Sequence, residues 1–470
     1  MTAKLNRLRA IFESLTEGSL VGWIGQRALD CVGLSQILPI HFIVCCDYGM
    51  DIAEWGADKF FLSIEKKDGV RRNWSNSHLD MAFKNQIGET FQSYSKNKRV
   101  QFACYRSVGF LENLRMNLPQ FNTVAAVPLE LKNYFDNKIT FYEKLPELGL
   151  NVIPGEITTL PQTNYKKLNR KYGLPFVVQL PIGSSGNNTF IIYNQKEFDH
   201  IIPRLRDSWF KVTKFLPGFS LNMNIALFRG QTYVSAPSIQ IVGARECTTR
   251  PAIFCGNDFT AATCLPMSII SEAFNVSHEI AAWLNQEGFR GIFGLDLMVS
   301  DNKIYPIEIN PRWQNSTDLL TISQIRHRQL PLISLHLLEF LTTESPLNGE
   351  LLDYHESYQP QSGAQIILHN LERETVTNAG TIRPGVYTFN TNGLQFERPG
   401  FSLFDCSARD EFVINCGVPY PGQTIHKGAP ICKIQAPDTM LAGDKIHLND
   451  KMSKIARKIY QQFDLKKINQ

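Results

Sequence analysis

The sequence lacks a large excess of charge of either sign, long apolar runs and paired-cysteine motifs. Its 48 Lys and Arg against 44 Asp and Glu leave a formal charge of +4, too small to make duplex nucleic acid or an anionic membrane surface the expected partner. The most apolar stretches, Ile37 to Cys46 and Leu330 to Leu341, are short and are broken by His41 or by Ser334, His336 and Glu339, so neither spans a bilayer. The opening MTAKLNRLRAIFESL has no apolar run before a small-residue cleavage site, which makes a cytoplasmic protein the expectation. The 10 cysteines are irregularly spaced with no Cys-x-x-Cys; reduced core thiols are expected, not disulfides or a thiolate metal site. No Gly-Lys-Ser/Thr follows a glycine loop, and no Ser-His-Asp or Cys-His pattern stands out, so neither a P-loop nor a covalent nucleophile is expected.

What is present is an ordinary globular composition, 43% hydrophobic and 20% charged, over 470 residues, with room for about three domains at ~100–200 residues each. Residues 1–135 alternate helix-like and strand-like segments, with a helical start to Leu15 and strands near His41–Cys46, Lys59–Ile64 and Val100–Tyr105, the pattern of an α/β domain. Gly22 and Gly25 in LVGWIGQRA read as a structural turn, since the full dinucleotide-binding glycine pattern is missing. Later segments predict a helix at Lys138–Leu148, a strand at Asn151–Ile153, a helix at Thr163–Tyr172, and strands at Phe176–Leu180 and Phe190–Tyr193.

The last two strands flank the Gly/Ser/Asn loop Pro181–Thr189. Consecutive backbone N–H groups in such a loop, with hydroxyls beside them, suit phosphate oxygens. About a hundred residues on, a long amphipathic helix over Met267–Gln286 leads to strands Gly291–Val299 and Lys303–Asn310, turning at Asp301-Asn302. That hairpin brings Asp296 near Glu308, and period-two alternation puts Glu308 and Asn310 on one face with Ile307 and Ile309 on the other. Two carboxylates and a carboxamide make a hard oxygen site of the kind Mg²⁺ accepts while bridging phosphates.

In this order the parts resemble the ATP-grasp superfamily over about residues 136–345: Asn137-Lys138 opening a helix, the Gly/Ser loop, a hinge strand at Lys211–Leu216, and Glu308-x-Asn310-x-Arg312 twelve residues after Asp296. The acid strands are similar to those of biotin carboxylase and the carboxylate-amine ligases. The resemblance implies that Lys138 reaches the phosphates, that Gly183, Ser184, Ser185 and Gly186 form a lid over them, and that Lys214, Phe215 and Leu216 hold the adenine edge. It also implies that Asp296, Glu308 and Asn310 bind Mg²⁺, with Mn²⁺ as an alternative, and that Arg312 steadies the reacting carboxylate. Two positions depart from the family pattern. Gln179 stands where a second phosphate-binding lysine is usual, and Ser220 where a glutamate is common. Gln240, Arg245 and Arg250 are candidates for substrate contact.

After about Ser345 the chain turns to short strand-like runs. Gly422–Ile434 resembles a biotinyl-carrier hairpin without its Met-Lys-Met, so covalent biotin is not expected, and Lys451–Asn469 reads as an exposed amphipathic helix. The expected architecture is therefore mixed α/β and α+β: a preATP-grasp α/β domain at 1–135, an ATP-grasp module at 136–345 with a lid at about 175–235, and a β-rich C-terminal domain at 346–470. The implied function is an ATP- and Mg²⁺-dependent ligase joining a small-molecule carboxylate to an amine through an acyl phosphate. Its alternatives are bicarbonate-dependent carboxylation and a non-catalytic ATP-binding regulator. A homodimer is the commonest assembly for such a chain.

Overall fold

Short runs of β-branched and aromatic residues, largely buried, pair in parallel at the start of the chain. The computed structural model describes residues 3–74, 93–96, 98–109, 111, 121–183, 186–347 and 358–468. In it β1 (Ser19–Ile24), β2 (Phe42–Cys45), β3 (Phe60–Ser63), β5 (Arg99–Cys104) and β6 (Phe121–Ala125) form a sheet of order β3-β2-β1-β5-β6, with the two-residue β4 (Val70–Arg71) outside it. The chain runs outward from β1 through β2 to β3, then crosses to β5 on the other side. The carboxyl ends of β1 and β5 therefore flank a topological switch point, where open α/β sheets bind ligands. Gly22 lies inside β1, not in a turn; a Cβ there would fall 1.9 Å from the Phe42 ring.

The next unit is a small antiparallel sheet, β7 (Gly155–Thr158), β8 (Phe176–Gln179), β9 (Thr189–Ile192) and β10 (Phe210–Lys214), in the order β7-β10-β8-β9. Phe176, Val178, Phe210 and Val212 bury one face against helices Tyr165–Tyr172 and Gln195–Leu205. This lid sheet spans 155–214, so the expected limits of 175–235 are displaced. The expected strand at Asn151–Ile153 is extended chain leading into β7. Residues 219–235 pair with the main sheet instead, because their ten-residue run is buried nearly throughout and needs cover on both faces.

That main sheet contains β11 (Phe219–Phe228), β12 (Gln231–Val234), β13 (Ser238–Val242), β14 (Phe254–Asp258), β15 (Gly291–Ser300) and β16 (Lys303–Asn310). The helix Met267–Gln286 packs against it with the bounds expected from its periodicity. The sheet does not stop at residue 345. β14 pairs with β17 (Ala364–His369), matching Gly256 to Ile366, and the ladder continues through later C-terminal strands. The strand order is β16-β15-β11-β13-β14-β17 and onward, so the C-terminal region extends the central sheet. The tail helix Asp450–Phe463 buries Met452, Ile455, Ile459 and Phe463, so it is half core, not an exposed amphipath. Among the described residues no helix is long and apolar enough to cross a membrane.

Buried polar contacts hold the two ends of the chain together. Arg71 is 1% exposed; its Nε lies 2.7 Å from Glu65, and its Nη2 donates to the carbonyls of Tyr48 (2.7 Å) and Gly417 (2.5 Å). Lys433 donates to Asp30 at 3.0 Å. Removing one member of a buried pair strands the other charge without solvent. Arg71→Met should therefore lower the unfolding free energy by about 3–5 kcal/mol, and exposed Lys67→Ala by under about 0.5 kcal/mol, both read from urea denaturation; equal, small effects would remove this clamp.

Candidate active site

The hairpin of β15 and β16 turns at Asp301 and Asn302, both at positive φ (49° and 58°), the primed geometry that matches strand twist. Its register sets Asp296 directly opposite Glu308. A bulge follows at once, since Leu297 pairs with Pro306. The bulge breaks strict alternation, so Ile307 faces the cleft together with Glu308 and Asn310, while Ile309 stays in the core; the simple two-face expectation for this strand is corrected accordingly.

Each acid has its own compensation. Asn222 donates to Asp296 Oδ1 at 2.6 Å, Asn310 donates to Asp296 Oδ2 at 3.3 Å and to Glu308 Oε1 at 3.4 Å, and Gln240 hydrogen-bonds the Asp296 carboxylate. Lys138 Nζ sits 2.7 Å from Glu308 Oε2 and donates to the carbonyl of Gly183 at 3.0 Å. Burial, and then the Glu308 charge, push the Asp296 carboxyl up; against the same burial, Lys138 holds Glu308 below the usual carboxylate range. Among the described residues no group of three or more His, Cys, Asp and Glu forms a metal cage. Two carboxylates and an amide suit a hard cation that completes its shell with water and phosphate. Arg312 closes this end: Nη2 donates to Asn310 Oδ1 at 2.8 Å, Nη1 to the Trp313 carbonyl at 2.8 Å, and its buried Nε has no partner among the described residues.

Between the lid and the main sheet lies a cleft of about 1310 Å³. One end is apolar, walled by Ile153, Val177, Phe215, Leu216 and Met298. Lys214 and Phe215 lead out of β10 beside it, and the Leu216 N–H donates to no group among the described residues. Ser220 also lines the cleft. Gly186 is held at φ +78°, where a Cβ would come within 1.8 Å of the Ala252 carbonyl, so the lid loop lies directly against the segment 250–253. Ser184 and Ser185 lie outside the described residues.

Sequence reasoning missed Lys211. It is 4% exposed, lines the cleft, and makes no hydrogen bond or ion pair among the described residues; its Nζ lies 5.4 Å from the centre of the Tyr142 ring. It is the direct ladder partner of Gln179, whose Nε2 donates to Thr189 Oγ1 at 3.1 Å. Directly opposed residues point to one face of a sheet, so the cation absent from β8 is present at the same place from β10. Burial, then the nearby Lys138 charge, hold the Lys211 amine down to about 7. A charged residue between Phe210 and Val212 was the signal, but the β8–β10 pairing that gives it meaning is non-local.

Of the substrate candidates, Gln240 belongs to the cleft, Arg250 donates to Asn187 Oδ1 of the lid at 2.9 Å, and Arg245 is exposed and lines neither cavity described here. Arg250 also borders a second cavity, which no motif in the sequence signals. It lies beyond Arg312, between the N-terminal sheet and the C-terminal strands, with Phe254 bordering both cavities.

The sequence and the fold resemble those of known proteins. Residues 135–316 match the ATP-grasp domain family. The [butirosin acyl-carrier protein]–L-glutamate ligase of Niallia circulans is 24% identical over 225 residues, 45% of this chain and 51% of that protein. The chain spans only 51% and 61% of the lengths of the two curated relatives it matches. A biotin carboxylase from Campylobacter jejuni superposes with a TM-score of 0.56 at 13% identity, over 91% of this chain and 89% of that one. A carboxyaminoimidazole ribonucleotide synthase from Aspergillus clavatus gives 0.52 at 13%, over 96% and 99%. At these identities the likeness is one of fold. Residues 135–316 of this chain are an ATP-grasp domain.

Proposed function

We propose that the chain is an ATP-dependent ligase that joins a small-molecule carboxylate to an amine. The observation that carries the reading is the directly opposed Asp296–Glu308 pair, Asp296 buried and Glu308 half-buried, flanked by Lys138, Lys211 and Arg312 at the polar end of a cleft whose other end is apolar. The adenine would occupy the apolar end against Phe215 and Leu216, and the phosphates would lie toward Lys138, Lys211, Gln179 and the N–H groups of the lid. A divalent ion held by Asp296, Glu308 and Asn310 would neutralise phosphate oxygens. The relative from Niallia circulans, named as a glutamate ligase, is in keeping with this class.

The chain's residues then act by placement and charge. Arg312, with a free Nε, orients the substrate carboxylate. One of its oxygens attacks the γ-phosphorus, the bond to the bridging oxygen breaks, and ADP leaves. The amine attacks the resulting acyl phosphate, the carbon–oxygen bond to phosphate breaks, and the amine's proton departs as phosphate is released. Lys138 and Lys211 offset the charge that moves to the leaving oxygens. The alternative of a non-catalytic regulator is motivated by Gln179 and Ser220; Lys211, opposite Gln179 in the ladder, weighs against the first of these by bringing an amine to the same face.

The test is ADP and phosphate release from MgATP by the purified chain with pooled carboxylates, with and without amines, and mass spectrometry for the amide. Release should need both substrates. Glu308→Gln should reduce it to background while leaving the melting temperature within a few degrees, and turnover like that of the wild type in this variant would remove the metal assignment.

Lys211→Gln should weaken MgATP binding by about tenfold or more, the scale of one charge-assisted phosphate contact. Adding Gln179→Lys to that variant should restore most of the loss, because the two positions face each other in the ladder. Calorimetry of the single and double variants reads both; unchanged affinity in Lys211→Gln would exclude the phosphate role.

A further inference from the structure

The second cavity opens at the carboxyl ends of β1 and β2, on the switch-point side of the parallel sheet, where Gln26, Arg27 and Asp47 leave their strands. Its other walls come from the segment 248–250 and from the C-terminal region, including Glu372 and Lys427. It communicates with the ATP cleft through a short polar chain. Arg27 Nη1 donates to Asn315 Oδ1 at 2.9 Å, Tyr105 Oη donates to the same oxygen at 3.2 Å, and Arg312 Nη1 donates to Tyr105 Oη at 3.4 Å. Asn315 lines the ATP cleft.

The charges in the cavity are not closed among themselves. Asp47 is 3% exposed; its Oδ1 accepts the Ala28 N–H at 2.9 Å, but its buried Oδ2 has no hydrogen-bond partner among the described residues. The neighbouring Arg71 is committed to Glu65 and to backbone carbonyls, and Lys433 to Asp30. A buried carboxylate oxygen without a donor is costly, and burial holds this carboxyl up to about 7. Elsewhere in the wall Arg250 bonds only the neutral Asn187, and Lys427 has no ion pair among the described residues. One acceptor lacking a cation and two cations lacking an anion, in one cavity, complement a ligand that carries both charges.

We propose that this cavity binds an amino acid as a substrate of the ligase, with its ammonium group on Asp47 and its carboxylate on Arg250 and Lys427. This rests on the ligase reading above. Asp47 and Arg250 would then set specificity: an acid without an amine leaves the buried Asp47 carboxylate unpaired, and an amine without a carboxylate forgoes the contact with the solvent-exposed Arg250.

The experiment uses the full chain. MgADP binding is first measured by calorimetry, and the 20 proteinogenic L-amino acids are then titrated individually into the MgADP-loaded protein, about one at a time. At least one should bind, and its des-amino acid and its carboxamide should not. Asp47→Asn, which keeps the acceptor for the Ala28 N–H, should weaken that amino acid by about tenfold or more and leave MgADP affinity unchanged; Arg250→Gln should weaken it similarly. Binding of MgADP with no amino acid bound, or equal binding by Asp47→Asn, would overturn the inference while leaving the ligase reading intact. Absence of MgADP binding would overturn the ligase reading and this inference with it.

Discussion

Asp296, which is buried, and Glu308, which is half-buried, stand directly opposite each other on neighbouring strands. Two like charges about 4 Å apart repel by about 4 kcal/mol at an effective dielectric of about 20, so this pair persists only where its surroundings compensate it. The compensation comes from distant parts of the chain: Asn222 on β11, Asn310 on β16, and Lys138 at the start of a helix that also holds the lid through Gly183. Direct opposition in the ladder makes both acids face the cleft, and the bulge after Asp296 turns Ile307 toward it as well. Lys138 holds Glu308 below the usual carboxylate range against its burial, whereas burial and then the Glu308 charge push Asp296 up, with the amide donor Asn222 opposing the shift. The site is thus poised for a cation, which would remove the conflict that the two acids create.

The same electrostatic logic explains the exchange between Gln179 and Lys211. What a phosphate site needs is a positive charge at a place, and two strands in register offer two positions for it on one face. A glutamine on β8 opposite a lysine on β10 keeps that charge where it is useful. A sequence read one strand at a time registers a loss at residue 179, whereas the folded ladder shows a relocation.

Legibility in the sequence followed the range of the interaction. The helix Met267–Gln286 and the strand Lys303–Asn310 were readable to the residue because periodicity and turn chemistry are local, and the acids, Asn310 and Arg312 stood on them. The extent of the lid, the bulge at Ile307, the continuation of the main sheet through β17 and the partnership of Lys211 depend on which strands meet, and none of that is written in a window of ten residues. The tail helix was misjudged for a related reason. Its pattern has an apolar face, but only the C-terminal strands reveal what covers it.

This division has a physical counterpart in the molecule. The residues that line the ATP cleft, from Tyr142 to Ser316, lie within 135–316, the segment that matches the ATP-grasp family. The second cavity combines residues 248–250 of that segment with residues 26–27 and 47 from one end of the chain and 367–372 and 427–433 from the other. These walls are fastened together by Arg71 with Glu65 and Gly417, by Asp51 accepting the N–H groups of Gly417 and Val418, and by Lys433 with Asp30. Nucleotide chemistry asks for the same charges whatever the substrate, so one contiguous module can supply it. Choice of substrate needs a shape of its own, and in the proposal above that shape joins the segment 248–250 to the two ends of the chain, which buried ion pairs fasten at their junction.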